Sequence, residues 1–132
     1  MEISELYRIF EQRPVVTTDS RDCPKDSIFF ALKGASFNGN AFAQKAIDEG
    51  CAFAVVDEKE FAKEDDKRFI LVDNCLKALQ QLANYHRRKL GTKIIGITGT
   101  NGKTTTKELV ATVLQKKYNV LYTLGNFNND IG

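Results

Sequence analysis

IIGITGTNGKTTTKEL, Ile94 to Leu109, sets an apolar run before a glycine-punctuated turn and follows it with good helix formers. Read as strand, loop and helix, it has the form of a phosphate-gripping loop. In such a loop successive backbone N–H groups turn inward, and the helix N-terminus adds positive potential where an anion sits. Gly99 to Thr105 supply the loop here. Gly99 and Gly102 allow close approach of the backbone, with Thr100 and Asn101 between them; Lys103 would bridge the β- and γ-phosphates and Thr104 would place its hydroxyl on magnesium. The spacing departs from G-x-x-x-x-G-K-[ST], because the first glycine position is taken by Ile97 and the nearby glycines are Gly96 and Gly99.

Downstream, the pattern predicts a helix from Lys103 to Lys117 and a strand over 119–123, NVLYT. With KIIGIT (93–98) as the first strand, this is half of a nucleotide-binding α/β unit. Phosphoryl transfer also needs metal-coordinating carboxylates beyond the loop threonine. After Lys103 the acidic residues are Glu108, inside the helix, and Asp130; neither ends an apolar strand. The expectation is an incomplete machine that does not turn over by itself.

Upstream lies a different unit, with a boundary expected at Leu90 to Thr92 and spans of 1–90 and 91–132. Ile3, Leu6, Ile9 and Phe10 have the spacing of a short amphipathic helix that Pro14 stops. VVTT (15–18) and SIFFALK (27–33) read as strands around the turn DSRDCPKD, and the loop GASFNGN follows. Asn40 is expected to N-cap a helix ending at Gly50. CAFAVV (51–56) and FILV (69–72) read as strands, with the charged DEKEFAKEDDKR between them as a solvated connection. NCLKALQQLANYHRRKLG reads as a helix with Leu76, Leu79, Leu82, Ala83 and Tyr85 on its core stripe and Gly91 as its stop. The fold class is therefore α/β.

Composition narrows the function. The 132 residues are 42% hydrophobic and 27% charged, the profile of an ordinary folded chain. A net charge of +2, with 19 basic and 17 acidic residues interspersed, gives no electrostatic reason to expect nucleic acid. The local excess HRRK (86–89) falls at a helix end, where cations offset the dipole. His86 has no acidic or cysteine partner at helical spacing and reads as a surface or half-buried helix residue. Cys23, Cys51 and Cys75 are odd in number and widely spaced, which argues against a disulfide framework or zinc site and for reduced thiols. The start MEISELYRIF lacks a basic n-region and no apolar run is long enough for a bilayer, so a cytoplasmic protein without a membrane partner is expected.

GITGTNGKTTTKE resembles the ATP loop of the Mur ligases, the enzymes that build the peptide of peptidoglycan; folylpolyglutamate synthetases share a similar loop but would carry it near the N-terminus. TTDSRDCPKDSIFFALKGASFNGNAFAQKAIDEGCAFAVV resembles the N-terminal domain of the Mur ligases that act on longer UDP-muramoyl peptides. TLGNFNNDIG resembles the segment of the D-alanyl-D-alanine-adding branch that reaches toward the UDP-muramoyl substrate. The resemblance implies UDP contacts from Ser20 and Arg21 in the turn and from Lys33, Gly34, Asn38 and Gly39 in the loop, and muramoyl-peptide contacts from Asn126, Asn128 and Asn129. The loop departs from the usual F-D-G-H-x-F at Asn38 and Asn40. Asp19 reads equally well as a turn-capping carboxylate.

The reaction so implied uses ATP and Mg2+ to convert the terminal carboxylate of UDP-N-acetylmuramoyl-tripeptide to an acyl phosphate, which the amine of D-alanyl-D-alanine attacks. The chain then reads as the front piece of such a ligase. Addition of the third amino acid to the dipeptide substrate and a non-catalytic UDP- or nucleotide-binding module are the alternatives. The strand KIIGI, normally covered on both faces, is expected to leave an apolar patch that drives self-association or disorder over 91–132.

Overall fold

A computed structural model describes residues 1–123 of the chain. The chain forms two compact units, Met1–Gly91 and Thr92–Gly132.

The first unit is built on a four-stranded, all-parallel sheet: β1 (Val16–Thr17), β2 (Ile28–Phe30), β3 (Phe53–Val56) and β4 (Phe69–Leu71), in sequence order across the sheet. The register pairs Val16 with Ile28, Phe29 with Ala54 and Val55 with Ile70. A parallel sheet needs cover on both faces, so its strands read as continuous apolar runs. Ile28, Phe29, Phe30, Ala54, Val55 and Val56 are accordingly all buried.

Three helices supply the cover. Helix α1 (Ile3–Gln12) starts with a capping box in which Glu2 and Glu5 satisfy each other's backbone amides, and it ends before Pro14. Helix α3 (Cys75–Leu90) is capped at Asn74, whose side chain accepts from the Lys77 amide, and stops at Gly91 with φ 65°. Its last turn carries Arg87, Arg88 and Lys89, the cations expected against the negative helix end. Helices α1 and α3 pack on each other, and α3 also meets β2. The buried stripe of α3 is Cys75, Ala78 and Leu82, with Leu79 and Tyr85 packed beside it. Ala83, expected on that stripe, faces solvent, because it lies one residue beyond Leu82 and turns off the buried face. His86 is half-buried and lies 3.1 Å through Nδ1 from Tyr7 Oη.

The helix expected from Asn40 begins differently. Asn38 caps a 3-10 turn, Gly39–Phe42, which leads into α2 (Ala43–Asp48). Asn40 lies inside that turn and is fully buried. A cap contact needs only one oxygen, and Asn40 spends its whole side chain on other partners described below. After β3 a second 3-10 turn, Lys59–Phe61, interrupts the charged connection.

In the second unit, helix α4 spans Lys103–Leu114, three residues shorter than the pattern suggests. The expected strands at 93–98 and 119–123 do not form: neither segment joins a ladder among the described residues. A strand exists through the neighbour it pairs with. Ile94 and Ile95 are each 64% exposed, without the cover or the pairing that would hold them extended in a sheet.

Candidate functional site

Because the sheet is all parallel, the segments that follow its strands emerge at one edge, the edge where α/β sheets place their ligands. Four segments leave that edge: the turn after β1 with Asp19, Ser20 and Arg21, the loop 33–39 after β2, Asp57 and Glu58 after β3, and Asn74 after β4.

The turn after β1 is closed on itself. Asp19 Oδ1 accepts from the Arg21 backbone N–H at 2.9 Å and from Arg21 Nε at 3.0 Å, and Nη2 donates to Oδ2 at 2.9 Å. Asp19 is thus a turn-capping carboxylate that also holds the guanidinium by two bonds. The bond from the Arg21 side chain holds the Asp19 carboxyl down at about 2. Arg21 remains 82% exposed, so its guanidinium is oriented and still open to a ligand. Ser20 is half-buried, and its carbonyl accepts from the Cys23 thiol at 3.4 Å.

The loop after β2 folds into a tight ring. Lys33 and Asn38 form an antiparallel bridge, the Gly34 amide donates to the Phe37 carbonyl at 2.9 Å, and the Gly39 amide donates to the Leu32 carbonyl at 2.8 Å. Behind the ring sits Asn40. Its Nδ2 donates to Asn38 Oδ1 and to Asp57 Oδ1, each at 2.9 Å, and its Oδ1 accepts from the Asp57 amide at 3.0 Å and the Glu58 amide at 3.4 Å. That uses all four bonding positions of a primary amide.

Asp57 carries the network further. Its Oδ2 accepts from the Cys75 amide at the start of α3, at 3.0 Å, and its Oδ1 lies 3.3 Å from Lys33 Nζ. Burial pushes the Asp57 carboxyl up, but the bonds from the Cys75 amide, Asn40 and Lys33 outweigh it and hold it below the ordinary value. Glu58 Oε1 accepts from Lys33 Nζ at 2.9 Å, which holds that carboxyl low and the ammonium high. The charged stretch after β3 is therefore more than a solvated connection. Asp57 and Glu58, at its head, are structural partners of the loop, because they leave the sheet beside it. The available signal was their place directly after the apolar run CAFAVV, at the end of a buried parallel strand.

Beneath this edge Cys75 is buried, and its thiol bonds the Val55 carbonyl at 3.3 Å. Burial pushes that thiol up to about 12, so it is a packing group and not a nucleophile at neutral pH. Cys23, Cys51 and Cys75 are all free thiols.

In the second unit the glycine-punctuated turn runs directly into α4. Gly99 has φ 152° and Gly102 φ 73°, both in the range that favours glycine, and α4 starts at the next residue, Lys103. No side chain caps this end of α4, so its first amides point into the loop unshielded by a cap. Lys103 is half-buried at the first helical position, while Thr100, Asn101, Thr104 and Thr105 are exposed. An uncapped helix N-terminus can accept an anion, and Thr104 lies one residue inside it. No cluster of His, Cys, Asp or Glu suited to hold a metal occurs among the described residues. Asn126, Asn128 and Asn129 lie outside the described residues.

Comparison with known proteins supplies the context. The model of the Mur ligase family catalytic domain matches residues 14–87, more than half of the chain, and that of the Mur ligase middle domain matches 97–132. The chain belongs to the Mur ligase family. Among its relatives is the UDP-N-acetylmuramoyl-tripeptide--D-alanyl-D-alanine ligase of Bacillus subtilis strain 168, 44% identical over 117 residues that cover 89% of this chain and 26% of that protein. The Haemophilus influenzae protein of the same name is 38% identical over 121 residues, again covering 89% and 26%. Solved Mur ligase structures agree in fold. A crystal structure of MurF from Acinetobacter baumannii superposes with a TM-score of 0.79 at 35% identity, over 90% of this chain and 26% of that one. MurF from Thermotoga maritima in complex with ADP gives 0.74 at 32% identity, over 86% and 26%. This Mur ligase chain spans about a quarter of the length of the relatives it matches. Among the described residues no helix is long and apolar enough to cross a membrane.

Proposed function

We propose that the chain supplies the UDP-binding unit (1–90) and the opening of the ATP-binding unit (91–132) of a ligase that joins D-alanyl-D-alanine to UDP-N-acetylmuramoyl-tripeptide. The observation that carries this reading is that relatives between 34% and 44% identical share that one activity in their names. The edge geometry supports it: an oriented, open Arg21 and a closed 33–39 loop leave the same side of a parallel sheet.

In this reading Ser20, Arg21, Lys33, Gly34, Asn38 and Gly39 hold the UDP part of the substrate, and Asn126, Asn128 and Asn129 reach toward its muramoyl peptide. The first amides of α4 and the Lys103 ammonium hold the ATP phosphates. The tripeptide carboxylate is a poor electrophile until one of its oxygens becomes a good leaving group, which activation as an acyl phosphate achieves. The amine of D-alanyl-D-alanine then attacks and phosphate departs. Thr104 would hold Mg2+ in part, and the ion would supply charge neutralisation at the transferring phosphoryl. ATP as co-substrate puts the reaction in the cytoplasm. In this reading the 132-residue chain does not turn over by itself, since it spans about a quarter of the relatives that carry the activity in their names.

Calorimetric titration tests the first half. UDP is expected to bind the chain, and Arg21→Ala to weaken it about tenfold, the effect of one charge-assisted hydrogen bond. A folded chain that gives no heat with UDP contradicts the reading. Ile94, Ile95, Leu109 and Val113, each more than 60% exposed, also support self-association of the isolated chain. Sedimentation equilibrium should show a dimer or higher species; a strict monomer at high concentration argues against it.

A further inference from the structure

Lys33 and Asn38, both read as contacts to UDP, donate to the same atom. Lys33 Nζ lies 2.9 Å from Glu58 Oε1, and Asn38 Nδ2 donates to that oxygen at 2.9 Å. An ammonium and an amide converging on one anionic oxygen form the donor pair that a phosphoryl oxygen takes.

The two carboxylates on Lys33 are not equivalent. Asp57 is only 9% exposed in its side chain and is anchored to the Asn40 amide and the first amide of α3. Glu58 is 27% exposed and sits at the rim, just ahead of the 3-10 turn Lys59–Phe61. Asp57 cannot leave without breaking the buried network. Glu58 can turn outward about its own side-chain bonds while β3 stays in place.

We propose that Glu58 is an internal stand-in for a ligand phosphate: it occupies the Lys33–Asn38 donor pair in the free protein, and a diphosphate-bearing ligand binds by taking its place while Asp57 stays. The inference rests on the reading of 33–39 as part of a UDP site. With two carboxylates against one ammonium, the cluster carries a net charge of −1. A ligand must therefore offer these donors more negative charge than one carboxylate does, which favours a diphosphate over a monophosphate and makes a neutral nucleoside insensitive to Glu58.

The test is calorimetry on the 132-residue chain with UDP, UMP and uridine, for the wild type, Glu58→Gln, Lys33→Ala and the double variant. Glutamine keeps an oxygen for Asn38 and removes the charge. Glu58→Gln is expected to tighten UDP by roughly threefold to fivefold, the range of a part-exposed ion pair. UMP should gain less and uridine nothing, and in the Lys33→Ala background the gain should vanish. UDP binding that is unchanged or weaker in Glu58→Gln overturns the inference while leaving the UDP reading intact. So does a gain that survives Lys33→Ala, which would be a general effect of charge. If the folded wild type and Glu58→Gln both ignore UDP, the UDP reading falls and takes this inference with it.

Discussion

Gly39→Ala is expected to lower the stability of the chain by about 3 kcal/mol, read as a drop in the urea midpoint at unchanged slope. A Cβ at this position would sit 2.4 Å from the Leu32 carbonyl oxygen, 2.8 Å from the Leu32 nitrogen and 2.9 Å from the Ala31 carbonyl carbon. All three are main-chain atoms continuing from β2, and the Gly39 amide is bonded to the same Leu32 carbonyl. Neither side can give way without moving a buried strand. Gly34 is the control. Its added Cβ would meet the Phe37 ring at 2.2 Å, but Phe37 is 57% exposed and its ring can swing into solvent. Gly34→Ala should therefore cost under about 1 kcal/mol. Equal losses at the two glycines would mean that the loop is not held against β2 as described.

Asn40→Asp is expected to be as damaging at neutral pH, again by about 3 kcal/mol, although it changes no volume. The new carboxylate could still accept from the Asp57 and Glu58 amides. Where Nδ2 now donates to Asp57 Oδ1 at 2.9 Å, however, two anionic oxygens would face each other at a fully buried site. The introduced carboxyl must then stay protonated in the folded protein, so its folded pKa lies above its unfolded one. Such a group is least costly below its unfolded pKa, and its penalty grows as pH rises toward the folded value. Chemical denaturation of the variant at pH 5 and pH 8 should show the gap to wild type widening with pH. A gap independent of pH would mean that Asn40 is bonded to something other than the Asp57 carboxylate.

Much of the first unit could be read from its residues. The helix over 75–90 declared itself through Asn74, the leucine spacing and Gly91, each a local signal. The strands at 28–30 and 53–56 showed as short apolar runs because a parallel sheet buries both faces. What escaped the sequence was pairing at a distance. Asn40 looks like a helix cap, since its local context offers nothing better; its partners Asp57 and Glu58 stand 17 and 18 residues away. The same limit applies to 93–98. Its apolar pattern says strand, yet a strand needs a ladder partner, and none pairs with it among the described residues. The turn into α4 was legible because its backbone signals are local: two glycines at positive φ and a lysine opening a helix are all written within five residues, Gly99 to Lys103.

The central claim is that this chain is the front quarter of a ligase adding D-alanyl-D-alanine. The most direct test replaces the matching quarter of the Bacillus subtilis relative with residues 1–132 and measures phosphate release from ATP by the purified chimera. The account predicts release only when UDP-N-acetylmuramoyl-tripeptide and D-alanyl-D-alanine are both present, and loss of at least about a hundredfold on Lys103→Ala, as expected when an electrostatic anchor of the transferring phosphoryl is removed. A folded chimera that releases no phosphate with both substrates, or that works equally well with Lys103→Ala, would contradict it.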